Sequence, residues 1–166
     1  MKIKPVKNYG ENIKTSHDLV EMRNGEVIFY VGNDPAIVRK QIMDLKDKML
    51  ALEHGQEEMP VEHFLMNGFY TRKLFIKKGT LLVGKIHKKA CINIVASGDI
   101  SVMTESGSKR VQAGYVQETP AWIQKVGYAH EDTVFINVFQ TDETDIEKIE
   151  AEIACESYDE KEKLCL

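Results

Sequence analysis

Hydrophobic and polar positions divide the chain into three stretches with different periods. In the first, Val27-Ile28-Phe29-Tyr30-Val31 is a short apolar run of strand character, stopped by Gly32-Asn33-Asp34-Pro35. Asn33 or Asp34 can cap a helix. Pro35 suits a first helical turn, where its missing N–H would be unpaired anyway. Val38, Ile42, Leu45, Met49 and Leu52 then recur at steps of four, three, four and three. That spacing predicts an amphipathic helix from about 35 to 53, closed by His54-Gly55. Such a seam either packs on its own domain or meets a copy of itself in an oligomer.

Residues 60 to about 140 show no helical period. Short runs rich in β-branched and aromatic residues (FYTRKLFI, TLLVG, INIVA, DISVMT, KRVQA, TVFINVF) are separated by glycines at fairly even intervals. Glu105-Ser106-Gly107-Ser108 has the composition of a hairpin turn. Many short strands with glycine turns predict an antiparallel sandwich or jelly roll. From Thr144 the pattern returns to helix. Thr144-Asp145-Ile146-Glu147 reads as a capping box, and Ile146, Ile149 and Ile153 form one apolar stripe on an acidic helix. The tail beyond Cys155 is charged, and the expectation is a loose segment unless a partner orders it. The division is therefore 1–56, an N-terminal extension with a strand and a helix; 57–142, a β-barrel; and 143–166, a C-terminal helix and acidic tail.

Composition narrows the function classes. The chain has 166 residues, 43% of them hydrophobic, which fits one domain with a real core. Net charge is -4, and the basic runs are only two residues long, so no nucleic-acid partner is expected. No apolar stretch approaches the roughly 18 residues of a membrane span, and the N-terminus lacks the apolar run of a secretory signal. Three irregularly spaced cysteines, Cys91, Cys155 and Cys165, argue for a reducing compartment. There is no Gly-rich phosphate loop, nucleophile elbow or Cys-x-x-Cys.

Two segments carry a resemblance. Gly79 is followed by five residues and Lys85-Ile86-His87; Cys91 comes three residues later and Gly98 six after that. Gly114 is followed by five residues and Pro120, with Lys125 beyond. This spacing resembles the two motifs of the cupin superfamily, whose metal ligands would fall at Lys85, His87, Cys91 and Lys125. MPVEHF, GFYTRKLFIKKGTLLVGKIHK, VGYAHEDTVFINVF and ETDIEKIEAEI look like a narrower group of cupin-like proteins of tailed bacteriophages, mostly of unassigned function. That group commonly has His-x-x-Glu-His where this chain has His87-Lys88-Lys89-Ala90-Cys91.

The residues themselves allow two readings of the barrel. His63, His87, Cys91 and His130 could supply ligands to a transition metal if all pointed inward. Lys85 and Lys125 oppose this, because an ammonium repels a dication and offers no lone pair. The expectation is no metal and no other cofactor. Pocket candidates are His63, Lys85, His87, Cys91, Trp122, Lys125, Tyr128 and His130. Each has a structural alternative in core packing or turn hydrogen bonding.

The expected fold is mainly β, a cupin-like antiparallel jelly roll with an N-terminal helical extension and a C-terminal helix. The expected function is non-catalytic: self-assembly or binding to another phage protein, in the host cytoplasm or in the virion. Val38, Ile42, Leu45, Met49, Leu52, Ile146, Ile149 and Ile153 are the candidate oligomer interface. The alternative is a small-molecule-binding or metal-dependent cupin enzyme acting on a sugar or nucleotide, with His63, His87, Tyr128 and His130 lining the mouth.

Overall fold

Strands with alternating burial build two facing sheets. In the computed structural model, which describes residues 6–7, 19–24, 26–52 and 59–164, the elements in chain order are β1 (Val6–Lys7), β2 (Val20–Arg23), β3 (Glu26–Phe29), α1 (Pro35–Leu50), β4 (Val61–Met66), β5 (Phe69–Ile76), β6 (Thr80–Val83), β7 (Ile86–His87), β8 (Cys91–Ser97), β9 (Asp99–Thr104), β10 (Gly107–Gln112), β11 (Val116–Thr119), β12 (Val126–Ala129), β13 (Thr133–Gln140), α2 (Ile146–Ile153), β14 (Ala154–Cys155) and α3 (Asp159–Leu164). One sheet has the order β1-β6-β12-β9-β10 and the other β11-β8-β13-β5-β4. Every pairing is antiparallel. No helix among the described residues is long and apolar enough to cross a membrane.

The space between the sheets is filled from alternate positions. Leu74 and Ile76 of β5, Val95 of β8, Ile100 of β9, Val111 of β10 and Ala129 of β12 form the inner core with Leu82. At the turn between β8 and β9, Gly98 has φ +89°, and a Cβ there would run into the Asp132 carbonyl and the Thr133 side chain. Only glycine fits this crossing. The hairpin at Glu105-Ser106 forms as expected, with Thr104 opposite Gly107.

The first sheet is covered on its outer face by the N-terminal elements. Asp34, not Asn33, caps α1 by accepting from the Ala36 N–H, and Pro35 opens the helix. Val38, Ile42, Leu45 and Met49 are at most 3% exposed and pack with Leu81, Val83, Met103, Val126 and Tyr128. Leu52 packs against the same cluster. This corrects the expectation of an inter-copy seam, because the apolar stripe of α1 is consumed inside its own chain. The expected helix end at His54-Gly55 lies outside the described residues.

The C-terminal elements close one end of the barrel. Asp145, rather than Thr144, caps α2 by accepting from the Lys148 N–H, so the helix starts at Ile146. Ile149 and Ile153 are fully buried with Tyr70, Cys91 and Phe139, which removes them from any interface with a copy; Ile146 stays 37% exposed. The chain then pairs β14 with β7. Glu156 binds both Lys46 of α1 and Lys85 of the barrel, and Arg39 of α1 pairs with Glu105 and lies over the Tyr158 ring. These contacts, and the short helix α3, order the tail within this chain.

Leu45→Ala is expected to lower unfolding stability by about 2–5 kcal/mol, read from a urea titration. Ile37→Ala, at a position 57% exposed on the same helix, should stay within about 0.5 kcal/mol of the parent.

Candidate functional site

The barrel interior is apolar except for one wall. Arg72 lies on the inner face of β5 between Tyr70 and Leu74, Asn93 on β8 between Cys91 and Val95, and Asn137 on β13 between Phe135 and Phe139. All three are buried. His87 ends β7, Lys125 immediately precedes β12, and Thr119 ends β11. Strand register brings these six side chains together: Asn137 is opposite both Arg72 and Asn93, and Thr119 is opposite Cys91.

Their hydrogen bonds form a directed chain. Arg72 Nη2 donates to Asn137 Oδ1 (3.2 Å), Asn137 Nδ2 donates to Asn93 Oδ1 (2.7 Å), and Asn93 Nδ2 donates to Thr119 Oγ1 (2.5 Å). The Cys91 thiol also donates to Asn93 Oδ1 (3.6 Å). Arg72 Nη2 reaches His87 Nε2 at 3.3 Å. The Arg72 guanidinium and a protonated Lys125 both only donate, and a neutral imidazole accepts at one nitrogen only; with the shorter Arg72 contact taken as the accepting one, the imidazole proton sits on Nδ1. From there it faces Cys91 Sγ at 3.6 Å and Lys125 Nζ at 3.4 Å. A protonated Lys125 has no lone pair to receive it. The contact between these two groups is therefore donor against donor unless the amine is neutral.

Electrostatics agree with this assignment. Burial, then the charges of Lys125 and Arg72, hold the His87 pKa well below its ordinary value, so the ring is neutral. Burial pushes the Cys91 thiol up and keeps it protonated. Burial brings Lys125 down to about 8, with Arg72 adding to the effect and Cys91 opposing it. Lys125 is half-buried by accessible area yet densely surrounded by protein, because it lines internal space.

Two cavities meet at that lysine. One, of about 50 Å3, is lined by Arg72, Lys85, His87, Lys125 and Asn137 and by apolar side chains including Leu74, Ile100 and Phe135. The other, of about 140 Å3, is bordered by Asn93, Thr119 and Lys125, by Val102, Val111, Tyr115, Ile123 and Phe135, and by the polar Thr104, Ser106, Lys109, Gln117 and Glu118.

No family model matches the chain, and no curated protein matches it. Among solved structures it is similar to KdgF from a Halomonas species (16% identity over 53% of this chain and 83% of that one, TM-score 0.46). A cupin superfamily protein from Desulfitobacterium hafniense is 8% identical over 55% of this chain and 84% of that one, with TM-score 0.46. A Cupin 2 conserved barrel domain protein from Salinispora arenicola is 15% identical over 51% and 76%, with TM-score 0.45. The chain itself is mainly β, with two facing antiparallel sheets.

A metal does not fit this barrel. His87 Nε2 is taken by Arg72, Nδ1 carries the proton, Cys91 is a thiol, and two cationic side chains stand where a dication would sit. Among the described residues no group of three or more His, Cys, Asp and Glu side chains could hold an ion.

The expected pocket set divides. Lys85, His87 and Lys125 line the cavity, and Cys91 touches His87. Lys85 also pairs with Glu156 at 2.7 Å. His87 and Cys91 meet from two different strands, β7 and β8, joined by residues 88–90. The other four lie outside. His63 sits on the edge strand β4, where Nδ1 contacts the Tyr70 hydroxyl at 2.6 Å. Alternation along β12 turns Gly127 and Ala129 inward, so Tyr128 packs under α1. His130 contacts Ser101 Oγ at 2.7 Å and the Tyr128 ring edge. Trp122 occupies a turn at φ +66°, its N–H donating to the His87 carbonyl (2.5 Å).

Arg72, Asn93, Asn137 and Thr119 were not expected from the sequence. The first three had a signal, each being a polar residue at an inner position of an alternating strand.

Lys125→Met is expected to stabilise the protein by about 3 kcal/mol at pH 7. Because the folded-state value of about 8 lies below the ordinary 10.5, the unfolded chain binds more protons between them. Parent stability therefore rises with pH across that window. Urea titrations at several pH values should show the variant's advantage shrinking from pH 8 upward and nearly gone above about 10.5. Protein equilibrated with zinc or manganese and then dialysed should retain far less than one equivalent by elemental analysis.

Proposed function

We propose that this is a non-catalytic cupin-like protein that works by self-assembly, two copies packing through the outer face of the second sheet. The supporting observation is the character of that face. An antiparallel sheet with one side toward water normally turns polar residues outward. Here the outward positions include Phe64, Met66 and Phe69, at 52%, 71% and 49% exposed, and Ile92 and Val116, at 42% and 59%. Half-buried Ile94, Ile136 and Val138 lie between them on β8 and β13. Unlike the first sheet, whose outer face carries α1, this one has no helix of the described residues assigned to its outer face.

The face suits a copy of itself. It is broad and built from neighbouring strands, so a twofold arrangement would stack sheet on sheet as in a β-sandwich. Patches of this kind mark interaction surfaces in soluble proteins. The Glu62–Lys73 ion pair (3.0 Å) lies on the same face. Loss of the metal-ligand chemistry supports a non-catalytic role. The resemblance of 59–64, 68–88, 126–139 and 143–153 to proteins of tailed phages extends the proposal to a phage protein, acting in the host cytoplasm or as a virion component.

Size-exclusion chromatography with light scattering is expected to give a dimer or higher oligomer. Ile92→Lys combined with Phe64→Lys should give a monomer with little change in unfolding midpoint, since both positions are exposed. A parent protein that remains monomeric at high concentration overturns the proposal.

A further inference from the structure

The interior polar wall is not used by self-assembly. Arg72 and Lys125 are both cationic groups placed inside the barrel, and Lys85 stands at the smaller cavity. No Asp or Glu of the described residues lines that cavity. Glu150 acts on Arg72 from α2. Glu118 and Lys109 line the larger cavity, but both are exposed. The groups facing the Lys125 ammonium are His87 from β7, Cys91 from β8 and Arg72 from β5. The first two are neutral and the third is a cation. None of them supplies an anion, and the neutral His87 ring, contacted by both Arg72 and Lys125, can accept from only one of the two.

A buried ammonium in this position is costly unless an acceptor joins it. The fold leaves room for one. Lys125 lines both cavities, and the larger, at about 140 Å3, exceeds by several times the roughly 10–15 Å3 needed for one water. Asn93 and Thr119 lie at the polar end, beside Lys125. Val102, Val111, Ile123 and Phe135 supply the cavity's apolar wall, and Thr104, Ser106, Lys109, Gln117 and Glu118 also border it. A few convergent polar groups at one end of an apolar pocket are the usual arrangement of a small-molecule site.

We propose that the cavity beside Lys125 binds a small organic carboxylate, its head group accepting from the Lys125 ammonium and its apolar body lying against Val102, Val111 and Phe135. The carboxylate would occupy the space on the lysine side that His87 cannot fill as an acceptor. The site is separate from the outer sheet face, so monomeric and oligomeric protein test it equally.

Titration calorimetry with butyrate and benzoate, each against its neutral amide and against inorganic phosphate, tests this. The acids should bind saturably, and the amides about tenfold or more weaker, because only the acids carry the charge. In the parent protein, acid affinity should fall above about pH 8 toward tenfold per pH unit, as Lys125 loses its proton. Lys125→Met should remove the preference for acid over amide while circular dichroism shows the fold intact. If that variant does not fold, the pH profile of the parent protein decides. Three results overturn the proposal: no binding by either acid, equal binding of acid and amide, or acid binding indifferent to pH between about 7 and 10. Phosphate binding as tightly as benzoate would overturn the assignment to an organic acid.

Discussion

His87 is held between two donors, and most of the barrel interior follows from that placement. A neutral ring accepts at one nitrogen only, so it can serve Arg72 or Lys125 but not both. The relay from Arg72 through Asn137 and Asn93 to Thr119 then uses each amide in one orientation only. A polar network inside an apolar barrel is tolerated when its members are satisfied, and the low local dielectric makes any exception costly. The ammonium of Lys125 stands at the end of this network and borders both cavities.

The same barrel has three apolar surfaces to manage beyond its core. Two are covered by the chain itself. α1 and the β2–β3 hairpin lie over the first sheet, and α2 plugs the end nearest His87 with Ile149 and Ile153. Four fully buried side chains on α1 contribute about 1.5–3 kcal/mol each by removal from water, before entropic costs. The third surface, the outer face of the second sheet, has no such cover. The additions that look like assembly devices in the sequence thus serve the monomer, and the face that invites assembly is an ordinary part of the barrel.

The motif spacing and the motif chemistry have separate physical meanings in this chain. Gly79, Gly98 and Gly114 all have positive φ, so the intervals between them preserve turns whether or not an ion is held. The positions between the glycines carry no such backbone requirement. Cys91 and Lys125 can stand there because side-chain identity inside a closed barrel is limited only by volume, charge and hydrogen bonding. Trp122, at φ +66° next to His87, shows that even a turn suited to glycine can be held by a bulky residue when the backbone around it is hydrogen-bonded.

The sequence by itself determined the elements and the class of fold. Period-two alternation, glycine punctuation and the seam from Val38 to Met49 are local signals, and local backbone geometry reads them directly. It also marked His87, Cys91, Lys85 and Lys125 as neighbours, through the motif intervals. Which face of each strand turns inward across the sheets was not local. Register alone sent Tyr128 and His130 outward and His63 to an edge, and brought Arg72, Asn93 and Asn137 from three strands into one hydrogen-bonded chain beginning at His87. Tertiary packing also decided what the helical stripes touch, because an apolar seam is complementary to any apolar surface, and only the folded chain shows which one lies closest.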